Sequence, residues 1–136
     1  MYVAVTCDAS KIQEDKYIRT KDSPIRDHDL SGVDHLRLSV DVDRDLLTSM
    51  QFSTTEAGRT NDAIDGHSDW NPTWYIATRR TEGHVCFEIA IARRDVVDLP
   101  IVAGESWFLS AHCVEAGTRT ESTLPEVERW QRVVFR

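Results

Sequence analysis

The chain has 136 residues, the length of one domain and enough to bury a substantial core. Its net charge of −7 argues against nucleic acid and anionic membrane surfaces as partners, because both need clustered positive charge. Hydrophobic residues make up 40% of the chain but never run long enough to span a bilayer, and the opening Met1–Cys7 lacks the basic segment of a signal peptide.

Period-two alternation recurs along the sequence and predicts strands. Val3, Val5 and Cys7 alternate with Ala4 and Thr6. The clearest strand sets Leu36, Leu38, Val40 and Val42 against His35, Arg37, Ser39 and Asp41. Met50 and Phe52 follow on either side of Gln51, and Glu56-Ala57-Gly58-Arg59 reads as the turn that ends that strand. Trp74, Ile76 and Thr78 then alternate with Tyr75 and Ala77. Val85, Phe87, Ile89 and Ile91 share one face of a further strand. Trp107, Leu109, Ala111 and Cys113 share a face of the next, and Val133 and Phe135 mark the last.

The segments between are polar and turn-rich. Lys11 to Asp29 reads as a long surface loop and Asn61 to Asn71 as a turn region. Short helices are expected only at Arg93–Leu99 and Pro125–Arg129. Short strands at this spacing predict an all-β fold, an antiparallel two-sheet β-sandwich of jelly-roll or immunoglobulin-like form, in one domain over residues 1–136. The core is expected to hold Leu36, Leu38, Val40, Phe52, Phe87, Ile89 and Ile91. Cys7, Cys86 and Cys113 each sit in an apolar strand and read first as buried free thiols. One disulfide with a thiol left over is the alternative.

Several short motifs follow one another in a definite order. They are Tyr2-Val3-Ala4-Val5, the entry Arg26-Asp27-His28-Asp29-Leu30, Asp34 at the head of the main strand, and Asp41-Val42-Asp43-Arg44-Asp45 at its end. Gln51-Phe52, Gly58, Trp70-Asn71-Pro72-Thr73-Trp74, Glu88-Ile89-Ala90-Ile91 and the pair Gly104 and Trp107 come after. In this order they resemble the family-nine carbohydrate-binding modules and their bacterial relatives, over nearly the whole chain. The resemblance implies a secreted or periplasmic, non-catalytic sandwich that binds oligo- or polysaccharide beside polysaccharide-degrading machinery. The alternative is an interaction or scaffold domain that has lost sugar binding.

This sequence departs from the family pattern in three places. The family's segment ahead of the Tyr-Val-Ala-Val strand is missing, and Ala92 replaces the usual proline. Leu30-Ser31-Gly32-Val33 carries no aromatic ring where members clamp the sugar. An edge left uncovered by the missing segment would pair with a second copy, so a homodimer through the first strand is expected.

Sugar rings have an apolar C–H face that packs on flat aromatic side chains. Trp70 lies in the polar run Gly66-His67-Ser68-Asp69 and is expected to be exposed. With Tyr75, Asp69, Asn71 and Arg79 it makes the candidate carbohydrate site. Trp74 and Trp107 are in phase with apolar residues and belong to the core. Asp41, Asp43 and Asp45 are the candidate ligands for a structural calcium, a cation that takes oxygen donors. The loop lacks the glycine and the terminal glutamate of an EF-hand. No His-x-x-x-His, no Gly-x-Ser-x-Gly and no phosphate loop is present, and Glu88, expected to be buried, finds no partner carboxylate for glycoside hydrolysis. Nothing in the sequence points to an enzyme.

Overall fold

A computed structural model describes residues 1–23, 26–97, 100–117 and 130–135. Eight strands run through these residues: β1 (Tyr2–Asp8), β2 (His35–Asp41), β3 (Met50–Thr54), β4 (Thr60–Ile64), β5 (Trp74–Arg80), β6 (His84–Ile91), β7 (Ser106–Val114) and β8 (Gln131–Val134). They form a three-stranded sheet in the order β1-β6-β5 and a five-stranded sheet in the order β4-β3-β2-β7-β8, with every pairing antiparallel. The fold is the expected β-sandwich.

Alternation decides which residues meet between the sheets. Leu36, Leu38, Val40 and Phe52 from the larger sheet join Val85, Phe87, Ile89 and Ile91 from the smaller in one cluster, none more than 3% exposed. A one-residue slip in any of these strands would turn its whole apolar set outward, so the register is strongly specified. Trp107 belongs to the same cluster and packs edge-on against Phe135, ring centroids 4.7 Å apart. The β3–β4 hairpin closes on Thr55–Arg59, where Gly58 takes φ +80°, a backbone that favours glycine.

Three expectations are corrected. Cys7 and Cys113 are joined in a disulfide between β1 and β7, one strand from each sheet, and Cys86 is the free thiol. Alternation cannot reveal this pairing, because it places both sulfurs in the core without saying that they face each other. The turn region from Asn61 begins instead with β4, whose buried Asp62 accepts hydrogen bonds from Arg26 Nη2 at 2.8 Å and Trp74 Nε1 at 2.9 Å. A carboxylate is tolerated inside this strand because donors from distant parts of the chain meet it. The helix expected from Arg93 is a single 3₁₀ turn, Arg93–Asp95. Leu99 and the Pro125–Arg129 candidate lie outside the described residues.

The segment between β1 and β2 crosses from one sheet to the other. Ile12 is buried in the core, Asp15 pairs with Arg59 at 3.0 Å, and Gln13 N–H donates to Asp34 at 2.7 Å. The polar groups of this loop fasten it to the sandwich end.

Candidate functional site

The outward side of the three-stranded sheet is built by the residues that alternation leaves over. Val3, Val5 and Cys7 of β1 and Trp74, Ile76 and Thr78 of β5 turn inward, so Tyr2, Ala4 and Thr6 and Tyr75, Ala77 and Arg79 turn outward. Register then sets three rows across the face: Tyr2–Ala90–Tyr75, Ala4–Glu88–Ala77 and Thr6–Cys86–Arg79. The two tyrosines are 71% and 70% exposed, and small Ala90 between them leaves both rings clear. Two strand spacings put their backbones about 10 Å apart.

Polar groups surround the pair. Tyr2 Oη lies 3.5 Å from Glu88 Oε2, and Arg79 is exposed one row beyond. Glu88 is therefore on the surface, not buried as expected. Tyr75 also borders a recess of about 220 Å³ lined by Arg26, Thr60 and the Pro72–Trp74 segment. Nearest the two flat rings the face offers the Glu88 carboxylate and the Arg79 guanidinium, with Asp8 and His84 paired at its far end.

No family model, no curated protein and no solved structure matches this chain. Geometry therefore carries the functional reading.

Of the five residues expected to bind sugar, Tyr75 and Arg79 share this outward face. Trp70 does not. Its indole is half-buried against the core and meets Phe52 edge-on at 5.4 Å, while Trp74 meets the same ring at 5.3 Å. A polar run announced exposure for Trp70, but the neighbours in space are apolar and come from β3. Asp69 and Asn71 are exposed in the loop before β5, where Asn71 Nδ2 donates to the Asp69 carbonyl at 3.0 Å and so braces the loop. Tyr2 and Glu88 were absent from the expected set. The one signal for them was their phase, opposite to the core residues of β1 and β6.

Asp41, Asp43 and Asp45 do gather, with one carboxylate oxygen of each within 4.8 Å of the others. Asp41 is buried and uses both oxygens on the turn, accepting from Arg44 N at 2.6 Å and Leu46 N at 2.9 Å. Those two residues hold left-handed backbone, φ 66° and 59°, which the paired acceptors stabilise. Asp45 caps Leu47 N and Thr48 N. A hydrogen bond to Asp41 pushes the Asp43 carboxyl pKa up, because the protonated Asp43 can donate it, and burial and the Asp45 charge act in the same direction. A calcium ion takes about six to eight oxygens, and two of these three carboxylates already serve backbone amides. The cluster fits a turn clasp better than a resident calcium.

Proposed function

We propose that the protein is a non-catalytic carbohydrate-binding module of the kind its family-nine resemblance implies, with the outward face of the three-stranded sheet as the platform. The observation that carries this reading is the exposed pair Tyr2 and Tyr75, in register on one open face and separated by alanine. With their backbones about 10 Å apart, the two rings can each take a sugar of one extended chain. Glu88 accepts from sugar hydroxyls and Arg79 donates to them. The Cys7–Cys113 bond fits an extracytoplasmic location, where disulfides persist.

Replacing Tyr75 or Tyr2 by Ala should each weaken oligosaccharide binding by about 1–2 kcal/mol, the loss of one stacked ring. The melting temperature should hold, since neither ring is in the core. Titration calorimetry with a panel of oligosaccharides reads the first and thermal melting the second. Absence of binding to every member of the panel defeats the reading. An interaction or scaffold domain then becomes the better description of the same face.

That second reading has its own support in the position of β1, the end strand of its sheet. An end strand presents unpaired N–H and C=O groups to another chain. Two-fold pairing of β1 with its copy would join two three-stranded sheets and double the tyrosine platform. Light scattering over a concentration range should give a dimer mass at the upper end. A mass that stays monomeric removes the dimer.

A further inference from the structure

On the opposite outer surface of the sandwich, the five-stranded sheet carries a pocket of about 230 Å³. It is smaller than the usual range of about 300–1,000 Å³ for drug-sized ligands and suits one small ring. Its walls come from His35 and Arg37 of β2, Ser53 of β3 and Asn61 of β4, with His28 from the preceding loop. Cross-strand register puts Arg37, Ser53 and Asn61 in one row.

Arg37 is the unusual member. It is half-buried near the centre of the sheet, and its Nε is buried without a hydrogen-bond partner among the described residues. Arg59 pairs with Asp15 and Arg80 with Glu56, but Arg37 has no such carboxylate partner among those residues. Burial alone depresses the Arg37 pKa, with no carboxylate offsetting it. A guanidinium stays charged at every physiological pH, so an unpaired one in a pocket favours an anion.

The surrounding groups narrow the ligand. His35 Nδ1 lies 2.9 Å from the Val33 carbonyl, which can only accept, so Nδ1 carries the proton and Nε2 is left as an acceptor. Burial lowers the His35 pKa and keeps the ring neutral. Ser53 and Asn61 add donors and acceptors, while the exposed carboxylates of Asp29 and Glu115 stand at the rim. One fixed cation among neutral hydrogen-bonding groups and rim acceptors suits a ligand with one carboxylate and several hydroxyls.

We propose that this pocket binds a small hydroxy-carboxylate the size of a uronic acid, its carboxylate on Arg37 and its hydroxyls on His35, Ser53, Asn61 and the rim acids. The site lies on a different sheet from the tyrosine platform and stands or falls separately from it.

Two-dimensional NMR titration of the intact chain with D-glucuronate, D-glucose, acetate and inorganic phosphate tests the assignment. Glucuronate should shift the amides of His35, Arg37 and Ser53, and should bind at least about tenfold more tightly than glucose or acetate, each of which supplies only part of the contacts. Arg37→Gln should weaken glucuronate by a similar factor and melt no lower than the parent, because it removes an uncompensated buried charge. Arg37→Lys, which keeps the charge without the planar fork, should fall between the two. The proposal is overturned if glucuronate does not bind, if glucose binds as well, if phosphate binds more tightly, or if the shifts cluster at Tyr2 and Tyr75. It is equally overturned if Arg37→Gln binds glucuronate unchanged or melts well below the parent.

Discussion

Reduction of the Cys7–Cys113 disulfide is expected to lower the melting temperature by roughly 15 °C, the equivalent of about 4–5 kcal/mol for a crosslink closing a loop of this length. The two cysteines stand 106 residues apart and tie β1 to β7, so the bond restrains nearly the whole unfolded chain. It also holds the two sheets together at a point where β1 has, among the described residues, one strand partner, β6. The Cys7→Ala, Cys113→Ala double variant should match the reduced parent, whereas Cys86→Ala should leave the melt unchanged. Thiol titration of the unfolded chain should give one reactive group before reduction and three after it. Three groups without reductant, together with a melt indifferent to reductant, would mean that the bond does not form in solution.

Phe52→Ala should destabilise the fold by about 3–5 kcal/mol, the range for deleting a fully buried aromatic ring. Phe52 is 0% exposed and receives both Trp70 and Trp74 edge-on, so its loss opens a cavity under two indoles. Denaturant unfolding gives the size of the effect, and a red shift in tryptophan emission would report solvent reaching the indoles. Unchanged emission with normal stability would place those rings elsewhere. Tyr75→Ala should leave stability unchanged, because that ring lies on an exposed face and not in the core. Trp70→Ala should likewise lower stability, since its ring belongs with Phe52.

The two proposed sites use different physics. On the tyrosine face, apolar stacking and a few hydrogen bonds act in the open, where small interfaces give weak affinity. At Arg37, a cation already withdrawn from water gains a partner, and the gain depends on charge. A neutral oligosaccharide should prefer the first and a uronate monosaccharide the second. Binding to the first should be nearly indifferent to salt, whereas binding to the second should weaken as salt rises, less steeply than for a fully exposed pair.

Much of the architecture was legible in the sequence because strand alternation has a period of two and needs no knowledge of partners. It was enough to place Leu36, Leu38, Val40, Phe52, Phe87, Ile89 and Ile91 in the core, where all seven lie. It also separated Trp107, in phase with apolar residues, from the surface. The same alternation put Tyr75 and Arg79 on one outward side of β5.

What depended on distant parts of the chain was not legible. β4 was hidden because Asp62 looks like a turn residue until Arg26 and Trp74 reach it. Trp70 looked exposed because its sequence neighbours are polar, whereas its spatial neighbour is Phe52. The pairing of Cys7 with Cys113, the joining of Tyr2 and Tyr75 across Ala90, and the row of Arg37, Ser53 and Asn61 all arise from register between strands far apart in sequence. Local pattern decides which way a side chain points. Only the packed sheets decide what it meets there.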